Sequence, residues 1–134
     1  TGTLAKIIDW NQADDGLLGI TTLGTNKFEL LSMIKQEDGL NIGEIKIIEK
    51  EEDFKAPPNF DAMISLLEAI LEDIDLYDER EKFFQSASWV SFRFAEILPL
   101  EIDDKQKCLE FDDPILRLNF LEPLIRLIRE NSQQ

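Results

Sequence analysis

The chain has 134 residues, with 14 Lys and Arg against 28 Asp and Glu and no histidine, for a formal net charge of −14. That length suits one domain, able to bury roughly two-thirds of the surface its unfolded form exposes. The charge disfavours nucleic acid, whose phosphates are bound by Lys and Arg, and equally an anionic membrane surface, and no apolar run reaches the length of a membrane span.

The first residues, Thr1 to Lys6, have neither the charge order nor the apolar core of a signal peptide. From there to Glu49 the chain alternates and turns. All six glycines lie at or before Gly43, and all five prolines lie at or after Pro57, which marks a change of architecture. Phe28, Leu30 and Ile34 share one face of a predicted strand whose other face carries Lys27, Glu29, Leu31 and Met33. Ile42, Glu44, Lys46 and Ile48 oppose Ile45 and Ile47 in the next, again with the period of two that a pleated sheet requires. Asp15-Gly16 and Asp38-Gly39 supply turns that tolerate positive φ. With Leu4–Trp10 and Leu17–Leu23 added, the pattern predicts four short strands in a meander.

Residues 50–58 read as a linker between the two halves. The run Glu49-Lys50-Glu51-Glu52-Asp53 is too charged for a core, and Pro57-Pro58 fits neither a helix interior nor a central strand. Asn59 is then expected to cap a helix whose apolar residues are Phe60, Met63, Ile64, Leu67, Ile70, Leu71 and Ile74. Trp89, Val90, Phe92, Phe94 and Ile97 form a second helical stripe, with Trp89 expected in the core. Leu98-Pro99 should close that helix, because the residue before proline is pushed out of the α region. Asp103 is placed to cap a short third helix, with Gln106 at capping-box spacing. Asp113-Pro114 opens the last one, which carries Ile115, Leu118, Leu121, Leu124, Ile125 and Ile128 and contains Pro123, expected to kink it.

The catalytic inventory is short. Without histidine the commonest general base and metal ligand are gone, and no Gly-rich loop with Lys-Ser/Thr exists to hold a nucleotide. The serines have no base partner that spacing can supply. The acidic run Glu72, Asp73, Asp75, Asp78, Glu79 and Glu81 lacks the order of a calcium loop and reads as a solvated surface. Catalytic, cofactor and metal sites are therefore not expected. Cys108, the single cysteine, reads as a small buried hydrophobe, and a lone thiol suits a reducing, cytoplasmic setting. Three aromatics remain as candidates for protein binding. Phe83 and Phe84 either fold back as a staple on the helices or form an exposed apolar patch; Trp10, between Asp9 and Asn11, is either core or part of a recognition surface.

As an ordered set, Ser88-Trp89-Val90, Ala95-Glu96-Ile97-Leu98-Pro99-Leu100, Asp104-Lys105-Gln106-Lys107 and Asp112-Asp113-Pro114 followed by Arg117-Leu118 resemble the C-terminal helical part of the LON N-terminal domain, the substrate-recognition domain of Lon proteases. In the first half, Gly2 to Ile8 and Asp15 to Thr21, with Gly24 and Phe28, are similar to part of that family's β-subdomain. The resemblance implies an α+β fold: an incomplete PUA-like antiparallel β-subdomain over 1–49, then an α-helical bundle over 59–131, within one domain spanning 1–134. The Pro-, Leu- and Phe-rich strand that opens the family's domain has no counterpart here, so open sheet edges and self-association through them are expected. The ending Asn-Ser-Gln-Gln, without a long helical continuation, favours the free-standing form. The implied function is non-enzymatic binding of unfolded or tagged proteins. The alternative is a regulatory or scaffold module with a dedicated folded partner. PUA-like relatives often bind RNA, which the charge argues against.

Overall fold

The computed structural model describes residues 1–74 and 81–132. The chain divides into two compact units, Thr1–Lys50 and Glu51–Gln134.

The first unit is a three-stranded antiparallel sheet in the order β1-β2-β3, made of β1 (Gly2–Gln12), β2 (Leu18–Lys35) and β3 (Asn41–Ile47). The expected second and third strands are one strand of 18 residues. Its first part pairs with β1, from Leu18 opposite Gln12 to Phe28 opposite Gly2, and its last part pairs with β3, from Phe28 opposite Ile47 to Lys35 opposite Asn41. The Gly24-Thr25-Asn26 stretch does not turn. Between the Thr3–Lys27 and Ala5–Gly24 pairs β2 carries one extra residue, and the Thr25 hydroxyl donates to the Leu4 carbonyl at 3.2 Å. A bulge therefore absorbs what reads as a break, and the strand runs on.

The two true turns share one construction. Gly16 and Gly39 hold φ of 83° and 90°, conformations that need glycine. In each, the aspartate before the glycine accepts from the backbone N–H two residues on: Leu17 to Asp15 and Leu40 to Asp38, both at 3.0 Å. No residue from 1 to 50 is fully buried.

The second unit is helical. A short 3-10 turn, Pro58–Phe60, leads into α1 (Asp61–Glu72), followed by α2 (Ala87–Ile97), α3 (Ile102–Glu110) and α4 (Pro114–Ser132). Asn59 does not cap α1: Pro57 and Pro58 favour a tight turn, Asn59 sits inside it, and Phe60 takes the cap position without a side-chain bond. Nor does Asp103 cap α3. The helix starts earlier, from Glu101 in an extended conformation, which places Asp103 and Asp104 in the first turn, where carboxylates favour the helix dipole. Gln106 reaches forward to Glu110 at 2.9 Å instead of back to a cap.

Two stops are as expected. Leu98 leaves α2 at ψ 145° before Pro99, and the Asp113 carboxylate accepts from the Ile115 N–H at 2.7 Å at the start of α4. Helix α4 continues through Pro123 to Ser132. Phe60, Met63, Leu67 and Leu71 meet Ala87, Val90, Phe94 and Ala95 of α2, Cys108 of α3 and Leu118, Leu121 and Ile125 of α4 in one apolar core.

Candidate functional site

The segment entering the helical unit is built around one arginine. Arg117 lies on the core side of α4 and its side chain is 0% exposed. Burying a guanidinium is costly unless each donor is used, and here all five are. Nη1 and Nη2 grip the Glu51 carboxylate at 2.9 and 2.7 Å, Nη1 also donates to the Ser91 hydroxyl at 2.9 Å, Nη2 to the Phe111 carbonyl at 2.9 Å, and Nε to the Cys108 carbonyl at 2.7 Å. The Phe92 ring covers the guanidinium carbon at 3.7 Å. Glu51 also accepts from the Ser88 hydroxyl at 2.5 Å. The charged run 49–53, which reads as too charged for a core, nonetheless contributes a carboxylate whose side chain is only 6% exposed, because a buried partner compensates it.

Asp53 is the second fixed point. Its carboxylate accepts from the Ser86 hydroxyl at 2.6 Å and from the Ser88 N–H at 3.1 Å, while the Ser86 hydroxyl accepts from the Trp89 N–H at 2.9 Å. Ser86 is thus the N-cap of α2, and Asp53 supports it. The Ala87 N–H donates to the Phe54 carbonyl at 2.8 Å. These bonds hold the backbone of 51–54 against the start of α2.

That scaffold positions an aromatic cluster. The Ser86 N–H donates to the Phe83 carbonyl at 2.9 Å, closing a turn just before α2. Phe84 meets Trp89 edge-on at 5.4 Å and Phe83 does so at 6.2 Å, both favourable geometries for aromatic quadrupoles. The two adjacent phenylalanines divide the roles considered for them. Phe84 packs half-buried against the core, as a staple would, while Phe83 remains 46% exposed. Trp89 is half-buried at the rim of the core, not at its centre, with the Arg93 guanidinium carbon 5.8 Å from its ring. Phe54, Phe83 and Phe84 line an open groove of about 370 Å³ together with Asp53, Lys82, Gln85 and Ser86. Trp10, in the sheet unit and opposite Ile20, is 66% exposed, so it is no core residue.

Cys108 is fully buried, and burial pushes its thiol above the ordinary value, with Arg117 opposing and Asp104 reinforcing the shift. A thiol held neutral in this way is a poor nucleophile. Among the described residues no group of three or more His, Cys, Asp or Glu is placed to hold a metal ion, and no helix is long and apolar enough to cross a membrane. Asp75, Asp78 and Glu79 of the acidic run lie outside the described residues.

Phe83, Phe84 and Trp10 stand out in the sequence, whereas Phe54, Asp53 and the Glu51–Arg117 pair do not. One signal was available: Arg117 shares the face of α4 that carries Leu121 and Ile125, and an arginine on a core-facing stripe requires an acid.

A three-stranded antiparallel sheet and four α-helices define an α+β fold, whose helical unit carries an aromatic groove. Residues 1–126 match the ATP-dependent protease La (LON) substrate-binding domain, so the chain belongs to the LON substrate-binding domain family, as its Leu-Pro-Leu and Asp-Pro-x-x-Arg-Leu order implies. The domain is a non-catalytic one. A solved structure of a Lon N-terminal domain protein from Xanthomonas campestris is 30% identical, with a TM-score of 0.72 over 90% of this chain. The chain spans 65% of that protein's length. No curated protein matches.

Proposed function

We propose that this chain binds unfolded or tagged protein segments in the cytoplasm, with the Phe54–Phe83–Phe84 groove as the point of capture. Phe83 carries the reading: it stays 46% exposed although the bonds of the Ser86 turn and the ring of Trp89 hold it in place. A rigid exposed aromatic contributes contact area at little entropic cost, a property of binding surfaces. Membership in a substrate-binding family supports the same role.

The test measures capture of a reduced, carboxymethylated protein by the chain and by Phe83→Ser. Loss of capture with an unchanged melting temperature is expected; unchanged capture sinks the groove as the site. The exposed apolar residues of the sheet favour a second reading, in which a dedicated folded partner, or another copy, covers Trp10 and its neighbours. Trp10→Ser separates the two, since it should spare capture of unfolded chains and abolish association with a folded partner.

A further inference from the structure

A second groove lies between α1 and α4, away from the aromatic cluster. Met63 and Ile125, both buried, and half-buried Leu66 form its apolar floor, Ala62 leaves one side low, and Glu122, Arg126 and Arg129 stand along the rim. Its volume of about 150 Å³ is well below the roughly 300–1,000 Å³ of small-molecule sites, and suits a single anchoring side chain. Arg126 and Arg129 are three residues apart and so share a face of α4. In a chain carrying −14, two arginines beside an apolar floor select for the opposite charge. Among the described residues neither is committed to a strong partner. Arg126 meets Glu122 at 3.5 Å with side chains 70% and 48% exposed, a pair worth little in water. Arg129 makes no ion pair among the described residues.

We infer that this groove docks a peptide segment in which a carboxylate lies next to an apolar side chain. The apolar group rests on Met63, Leu66 and Ile125, and the carboxylate displaces Glu122 to meet Arg126 and Arg129. Methionine in the floor adapts to different aliphatic anchors, while the guanidinium pair demands the acid. Weakening by salt follows from the exposure of both arginines.

Fluorescence anisotropy with labelled, end-blocked Gly/Ser peptides tests this on the whole chain. A peptide with one Leu-Glu pair is expected to bind at least about tenfold more tightly than its Leu-Gln or Ser-Glu counterparts, the scale of a lost charge-assisted bond or apolar anchor. A Gly/Ser peptide ending in Leu with a free carboxylate shows whether a chain terminus serves as well as a side chain. Arg126→Gln with Arg129→Gln should erase the preference for Glu over Gln without lowering the melting temperature. Arg126→Glu with Arg129→Glu should instead favour a Leu-Lys peptide. Phe83→Ser should leave this binding unchanged, so the result stands apart from the aromatic groove. Equal binding of the Leu-Glu and Leu-Gln peptides, an unaltered preference in the double Gln variant, or no binding of either carboxylate-bearing peptide overturns the inference.

Discussion

The two units of this protein are built on opposite balances. In the helical unit Leu67, Leu71, Val90, Phe94, Leu118 and Leu121 are each 0% exposed, whereas in the sheet Leu4, Phe28 and Ile45 are only half-buried and the other large apolar residues, from Ile42 at 41% to Trp10 at 66%, keep much of their surface open. The sheet's backbone bonds are in place and its turns well formed, yet hydrogen bonds exchanged for water contribute little net stability. Regular secondary structure and a stabilising core are thus separate achievements, and the sheet unit shows the first without the second.

The contrast should be broken most severely at Arg117. Arg117→Ala leaves the Glu51 carboxylate buried without its partner and should cost about 3–5 kcal/mol in urea unfolding, while replacing both residues with Met should restore much of the loss. A single-variant loss below about 1 kcal/mol would mean that water reaches the pair. Truncations of equal size sharpen the comparison next. Leu67→Ala should cost about 2–5 kcal/mol, and Leu31→Ala in the sheet less than about 1 kcal/mol. Equal costs at the two positions would show that the sheet is covered in solution.

Hydrogen exchange reads the same difference residue by residue. Amides of 4–10 in β1 should exchange faster than those of 60–74, and self-association through the open strand edges should slow them. Slow exchange throughout β1 in a strict monomer would contradict this. The smallest effect belongs to Cys108. Its thiol pKa is raised in the folded state above the ordinary 9.0, so its contribution is complete below that pH. As pH rises, the unfolded chain ionises first, and the stability drains away until the folded pKa is passed. Between pH 8 and 10 the urea midpoint of the wild type should therefore fall further than that of Cys108→Ala. Parallel falls would place the thiol in contact with water.

What was legible in the sequence was local. Leu98-Pro99 and Asp113-Pro114 act through their own backbone and one neighbouring amide, and both stop or start helices where the pattern places them. The two Asp-Gly turns are equally self-contained. Misreadings arose where a neighbouring constraint took over. Gly24 lies in a strand because a bulge and the Thr25 hydroxyl accommodate it, and Asn59 was captured by a proline-led 3-10 turn. The aromatic groove was half visible: Phe83 and Phe84 stand out as adjacent aromatics, whereas Phe54 and Asp53 join them through bonds to the start of α2. No periodicity encodes a contact of that range.

The same Glu51–Arg117 clamp sets an order of assembly. Its partners are separated by 66 positions, and closing a loop of that size carries a larger entropic cost than any helical turn. A chain emerging from the ribosome presents Glu51, α1 and α2 long before Arg117 exists to join them. Until α4 arrives, the Glu51 carboxylate lacks its guanidinium, and the strap 51–54 is held through Ser86, Ser88 and Ala87. Nascent chains that stop short of Arg117 should therefore expose the apolar face of α1 to chaperones, and the arrival of α4 is what closes the core.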